Sequence, residues 1–286
     1  MTETPTPRTE SFGTRVAAAV DRRGPLCVGV DPSAELLKAW GLGDDARGLR
    51  TFGAICVEAF AGVVSVMKPQ VAFFERHGSA GMAELETLIA EARTAGLLVI
   101  ADAKRGDIDS TAAAYADAWL RDGSVLAADA VTVHPYLGLA ALAPMLEMAG
   151  RTGRGVLVVT RSSNPEGRQL QEARTANGPS VEDALLEEIA GWNGSVGVPV
   201  GTVGAVVGAT LPPSSFPLSQ LGGVILAPGL GAQGARPADV AERFGSCPRG
   251  SVLASSSRAV LAAGPDPAHL RKVAGELSQE LSSLLG

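Results

Sequence analysis

Eight short apolar runs, mostly β-branched, recur along the chain at intervals that leave room for a helix. This spacing constrains the fold more than any other feature. The runs are LCVGVD (26–31), VVSVMK (63–68), LLVIAD (97–102), AVTVH (130–134), GVLVVT (155–160), GAVVGAT (204–210), GVILAP (223–228) and SVLASS (251–256). Near-continuous apolar strands belong to a parallel sheet covered on both faces. Between them lie amphipathic helical patterns such as MAELETLIAEARTAG, STAAAYADAWLRDG and SVEDALLEEIAGWNG. Eight β/α units in 286 residues predict an α/β fold, a (β/α)8 TIM barrel in a single domain over 13–286, after a flexible polar tail at 1–12. A doubly wound open sheet is the competing arrangement.

A barrel makes a demand of its own: functional residues sit at the C-terminal ends of strands. Asp31, Lys68, Asp102, Lys104, His134, Thr160 with Ser163, Thr210, Gln233 and Arg258 all fall at or after the ends of their runs, and the strand starts carry no comparable set. Two connections are long. The segment 31–63 is expected to add a turn or short helix, and the polar stretch RSSNPEGRQLQEARTANG within 161–200 reads either as a loop over the barrel mouth or as a solvated excursion.

The run ADAKRGDIDST (101–111) follows the buried-looking stretch GLLVI. Burying charge is costly unless it is paired, and a cleft at a strand end lets charges pair and still meet a ligand. Side chains two apart on a strand share a face, so Asp102 and Lys104 are expected to point together. With Asp31 and Lys68 they form an alternating network of four charges. Asp107 falls in the turn beyond, and Ser110 or Asp109 is expected to cap the next helix. Carboxylates around Lys104 favour its charged form, which suits a proton donor better than an imine-forming lysine.

Charge and cysteine usage narrow the partners. The net charge is −6 with no basic block, so no nucleic-acid surface is expected. An anion can still bind where a few cations line one pocket. Of the 24 basic residues only Lys38, Lys68, Lys104 and Lys272 are lysines, and two of these stand at strand ends. Cys27, Cys56 and Cys247 lack metal-ligand spacing and read as small core residues. No apolar run is long enough to span a membrane, and the N-terminal MTETPTPRTESFG lacks the apolar core of a signal peptide, so a cytoplasmic location is expected.

The pattern D-x-K-x-x-D-I-x-x-T, carried by Asp102, Lys104, Asp107, Ile108 and Thr111, resembles that of the orotidine 5′-phosphate decarboxylases. VGVDPS with Asp31, VMKPQVAFFERHG with Lys68, VTVHPYLG, VVTRSSNP, APGLGAQG and SSSRAVL agree in order, so the resemblance spans about residues 25–262. The KPQVAFFERHG run and the long connections are similar to the second, longer bacterial subfamily. The resemblance implies loss of CO2 from C6 of orotidine 5′-monophosphate to give UMP, the last step of de novo pyrimidine biosynthesis, with no metal and no cofactor. It implies that Lys104 protonates C6 and that Asp102 sits beside the substrate carboxylate, with Lys68 and Asp107 in the same network. It implies substrate-binding roles for Asp31, Ile108 and Thr111, a pyrimidine contact at Ser163, and a phosphate grip by Gln233 and Arg258 with backbone N–H groups near Gly231 and Ser257. It also implies a homodimer with shared active sites, in which Asp107 and Thr111 complete the partner's site.

Two other functions compete: a Mg²⁺-dependent sugar-phosphate decarboxylase or lyase of the same barrel group, and a non-catalytic nucleotide-binding barrel. Ser163, Gln233 and Arg258, and the lack of an extra acidic ligand after the first two strands, favour the nucleotide enzyme. GLGAQG (229–234) spells a dinucleotide fingerprint, but no acidic residue ends the next strand and too little chain remains. His134 reads as a structural strand-end histidine, and His77 and His269 as solvent-facing.

Overall fold

The computed structural model of the chain describes residues 10–196, 200–231 and 234–285. Among these residues β1 (Leu26–Val30), β2 (Val66–Pro69), β3 (Leu98–Arg105), β4 (Ala130–Val133), β5 (Gly155–Arg161), β6 (Val203–Val207), β7 (Ile225–Pro228) and β8 (Val252–Ser256) close into a parallel barrel in chain order. Pairing of β8 with β1 completes the circle and removes the open-sheet alternative. Around the strands lie α1 (Phe12–Arg23), α2 (Ala34–Ala39), α3 (Ala46–Phe60), α4 (Ala72–Glu75), α5 (Gly78–Thr94), α6 (Asp109–Leu120), α7 (Ala143–Thr152), α8 (Arg168–Gln171), α9 (Val181–Val196), α10 (Pro237–Phe244), α11 (Arg258–Leu261) and α12 (Pro267–Leu285). No helix among the described residues is long and apolar enough to cross a membrane.

The predicted alternation breaks once. Between β6 and β7 the described residues form no α-helix, only a 3-10 turn at Leu218–Gln220. The intervening LPPSSFP (211–217) holds three prolines, which lack the N–H that a helix interior needs.

The start of the chain differs from expectation as well. Ser11 caps α1, its Oγ accepting from the Thr14 N–H at 3.1 Å and donating to the Val200 carbonyl at 2.6 Å. Phe12 and Val16 are fully buried with Cys27, Val66, Ile100, Ala130, Leu157 and Leu253, so α1 plugs the strand-start end of the barrel. Arg15 latches it there, through Asp129 at 2.5 Å and the Gly153 carbonyl at 3.1 Å. A Cβ on Gly155 would meet the Phe12 ring at 2.4 Å, so the plug needs glycine at the start of β5. Ser11 and Phe12 therefore belong to the barrel and not to the expected tail of 1–12; residues 1–9 lie outside the described residues.

Strand parity carries the argument from core to site. Two residues beyond Val66, Ile100, Ala130 and Leu253, the same strand faces present Lys68, Asp102, Thr132 and Ser255 at the opposite, C-terminal mouth. Cys27 and Cys56 are buried, free thiols, and Cys247 is half-buried. His269 is exposed as expected, but His77 is not solvent-facing: its side chain is 14% exposed and its Nε2 lies 3.4 Å from Asp44 Oδ1.

Candidate active site

A cavity of about 340 Å³ opens at the C-terminal mouth, lined by residues at or just beyond the ends of all eight strands. Its charged lining residues are three cations, Lys68, Lys104 and Arg258, and two carboxylates, Asp31 and Asp102. A larger cavity of about 500 Å³ lies at the strand-start end, beside Asp21, Arg22, Arg23 and Arg249. It holds no paired lysine and carboxylate, so the chemistry is located by the charges and not by the volume.

Asp102 is the centre of the constellation. Its Oδ2 accepts from Lys68 Nζ at 2.9 Å and from Gln70 Nε2 at 3.0 Å. Its Oδ1 accepts from Lys104 Nζ at 2.5 Å and from the Thr132 hydroxyl at 2.8 Å. Burial works against the charge on Asp102, but Lys68 and then Lys104 outweigh it and hold the carboxyl well below the usual range. Burial likewise works against the Lys68 ammonium, and Asp102 and Asp31 outweigh it and raise its pKa. Beneath them, burial pushes the Cys27 thiol up to about 12, which makes it a core residue and not a nucleophile. The two lysines differ in access: Lys68 is 9% exposed at its side chain and Lys104 is 50% exposed. Lys68 is therefore locked into the floor, and Lys104 faces the open cavity.

Two polar atoms of the lining are buried without a hydrogen-bond partner, Asp31 Oδ1 and Ser257 Oγ. A buried acceptor and a buried hydroxyl left unpaired are costly unless a ligand completes them. Ser163 and Asn164 line the cavity after β5, and Arg258 lines it at the start of α11.

The structure thus brings together Asp31, Lys68, Asp102, Lys104, Ser163 and Arg258. Asp107, Ile108 and Thr111 do not line the cavity; Ile108 is 49% exposed and Thr111 is exposed on α6. Gln233 lies outside the described residues. The Gly231 N–H donates to the Ala235 carbonyl at 2.8 Å, so that amide is committed within its loop and not to a phosphate. Neither Ser110 nor Asp109 caps α6. Ile108 occupies the cap position with no side-chain bond, and Asp107 Oδ1 accepts the Ile108 N–H at 2.8 Å. Thr160 is buried, its hydroxyl tying β5 to the Val206 carbonyl of β6, and Thr210 is exposed outside the cavity. His134 also lies outside the lining, its N–H donating to the Arg105 carbonyl. Sequence reasoning missed Asn164 and Ser255 of the lining, and it missed Gln70 and Thr132, the neutral side chains that bond Asp102. Both carry the right parity, two after Lys68 and two after Ala130, but a neutral polar residue in a strand gives no signal of its own.

The family model of the orotidine 5′-phosphate decarboxylase / HUMPS family matches residues 24–273. An orotidine 5′-phosphate decarboxylase of Salinispora tropica is 52% identical over 276 residues, 96% of this chain and 99% of that protein. One from Streptomyces coelicolor is 50% identical over 273 residues, 95% of this chain and 97% of that protein. The crystal structure of a putative orotidine 5′-phosphate decarboxylase from Streptomyces avermitilis superposes with a TM-score of 0.91 at 49% identity, covering 96% of each chain. A family match over most of the chain, and relatives that are half identical along nearly their whole length, place this chain in the orotidine 5′-phosphate decarboxylase / HUMPS family.

Proposed function

We propose that the chain converts orotidine 5′-monophosphate to UMP and CO2, in pyrimidine biosynthesis, with Lys104 as the acid that protonates C6. The observation that carries the roles is the Lys68–Asp102–Lys104 array, in which the one accessible ammonium faces the cavity beside a carboxylate held ionised. The C6–carboxylate bond breaks heterolytically, its electron pair stays at C6, and CO2 departs. Lys104 Nζ then gives its proton to C6, and its cation stabilises the carbanion-like transition state on the way. Asp102 sits beside the departing carboxylate. Two unit charges ~4 Å apart at an effective dielectric of ~20 repel by about 4 kcal/mol. That contributes, but it falls short of the roughly 8–23 kcal/mol of an enzymatic acceleration. The fixed cations supply more, because they need no reorganisation when charge develops at C6.

Binding falls to the rest of the lining. Asp31 Oδ1, buried and unpaired, suits a ribose hydroxyl. Arg258 suits the phosphate, after the last strand of the barrel, where barrels commonly bind phosphate. Ser163 is placed toward the pyrimidine, and Gln233 is assigned to the phosphate by resemblance. Asp107 and Thr111 serve the site of a second copy in a homodimer, which accounts for their absence from their own chain's cavity. A cytoplasmic location fits a nucleotide-processing enzyme.

Loss of the ultraviolet absorbance of orotidine 5′-monophosphate tests the reading directly. Turnover is expected with and without EDTA; turnover abolished by EDTA and restored by Mg²⁺ would turn the assignment toward the metal-dependent members of the family. The K104A variant is expected to lose at least about 10³-fold in kcat while still binding UMP, because the phosphate contacts are untouched. Near wild-type turnover by K104A would assign the proton to another group.

A further inference from the structure

We infer that Thr132 is a positioning residue for the reaction, one hydroxyl holding both the carboxylate beside the reacting carbon and the backbone of the proton donor. The inference rests on the roles proposed above for Asp102 and Lys104.

The observation begins in the sheet. β3 and β4 are in register at Ile100/Ala130 and Ala101/Val131, and next at Arg105/Val133. Between those pairs β3 carries Asp102, Ala103 and Lys104, whereas β4 carries only Thr132. β3 therefore bulges by two residues. A bulge re-aims side chains and leaves ladder groups unpaired, and bulges recur beside active sites. Here it turns Lys104 to φ +48°, in the left-handed region that side chains other than glycine avoid.

Thr132 fills the gap that the bulge opens. The Lys104 N–H, displaced from the ladder, donates to Thr132 Oγ1 at 3.0 Å. The same hydroxyl donates its proton to Asp102 Oδ1 at 2.8 Å. A hydroxyl has one proton and two lone pairs, so it accepts from one partner while donating to the other. Valine has the same shape and can do neither. Thr132 is 1% exposed.

The reaction gives this bridge its purpose. As Lys104 gives its proton to C6, Oδ1 loses the positive charge of the ammonium it holds at 2.5 Å. Thr132 stays and keeps the carboxylate plane fixed without adding charge. It also anchors the Lys104 backbone, which holds the ammonium in place for the transfer. The contacts proposed for ribose and phosphate follow β1, β7 and β8, whereas Thr132 belongs to β4. Loss of the hydroxyl therefore strikes the chemical step and spares binding.

The test compares wild type, T132V, T132S and K104A by steady-state decarboxylation and by calorimetric binding of UMP. T132V is expected to lose about 10- to 100-fold in kcat, the range of a lost hydrogen bond to a charged group. Its KM and UMP affinity are expected to stay within about threefold of wild type, as for a group that acts only in the chemical step. T132S, which keeps the hydroxyl, is expected to recover kcat to within about threefold. Should T132V fail to unfold cooperatively, T132A replaces it with the same expectation. Wild-type kcat in the hydroxyl-free variant, or equal losses in T132S and T132V, would overturn the inference. Wild-type turnover by K104A would instead overturn the underlying assignment of the acid, so the two failures are distinguishable.

Discussion

Burial opposes the charge on Asp102, and the ammonium groups of Lys68 and Lys104 reverse that balance and depress its pKa in the folded protein. A depressed folded-state pKa stabilises the fold at every pH above the ordinary carboxylate range, and that stabilisation is lost as pH falls through and below it. The D102N variant removes the carboxylate that both ammoniums bond, leaving Lys68 only Asp31 to offset its charge. It is therefore expected to be less stable than wild type at pH 7, and the gap is expected to narrow as pH falls below about 4, where Asp102 protonates in the unfolded chain while the folded protein still holds it ionised. Urea unfolding of both proteins from pH 7 to pH 3 measures the gap, and a pH-independent difference would show that Asp102 stabilises by packing alone. At this scale the sequence was readable where charge met strand parity. Asp31, Lys68, Asp102 and Lys104 announced themselves because charged residues seldom end buried runs. Thr132 and Gln70 did not, because threonine is common in any strand and a neutral amide breaks no pattern. The two-residue bulge was also invisible, since Asp102 and Lys104 keep an i, i+2 spacing whether or not the strand between them is regular.

The connection after β5 shows how elements hold the site open from outside the barrel. Arg161 is the last residue of β5, directly before Ser162 and Ser163, and its guanidinium is buried against Glu182 of α9. A second nitrogen of Arg161 donates to the Pro212 carbonyl at 2.8 Å, and Arg243 of α10 donates to the Leu211 carbonyl. Asp183 accepts the Phe216 N–H at 3.1 Å. The proline-rich segment after β6 is thus clamped by side chains in place of helix packing. Burial raises the Glu182 pKa against the pull of Arg161, and burial, then Arg161, lowers that of Arg243 to about 10, so charge in this cluster is held at a cost. Removing one partner of a buried pair leaves an uncompensated ion, so E182A is expected to lose about 3–5 kcal/mol of stability. Replacing both ions together, as in R161M/E182L, is expected to lose less, because the Arg161 charge is removed with its partner and, of these three ions, only Arg243 remains. Chemical denaturation of the single and double variants decides this; equal losses would mean that the pair acts through the Pro212 bond and not through its charges. The barrel itself was legible from eight apolar runs. The helix-free β6–β7 connection was not, because its clamps come from residues 33 to 51 positions earlier and 32 positions later in the chain.

On the scale of the whole molecule, one sector beside the barrel mouth exposes large apolar side chains. Gly106 packs against His134, so the segments leaving β3 and β4 run side by side. Beyond them Ile108, Tyr136 and Leu137 are 49%, 72% and 51% exposed, an apolar face next to Asp107 and Thr111. A second copy seated on this face would cover it and bring Asp107 and Thr111 to the neighbouring cavity. A two-fold axis makes the two contacts identical, so each site would draw Asp102 and Lys104 from one chain and Asp107 and Thr111 from the other. This arrangement predicts complementation between two inactive variants. In a mixed dimer of K104A and D107A chains, one site carries both defects. The other draws Lys104 from the D107A chain and Asp107 from the K104A chain, and is wild type. Random exchange makes about half of the dimers mixed, each with one intact site of two, so about a quarter of wild-type activity returns. Sedimentation of the wild-type chain establishes the dimer, and exchange is followed by mass-tagging one variant. If the mixture stays as inactive as its parents after exchange is complete, Asp107 acts within its own chain, and the apolar face has a different occupant.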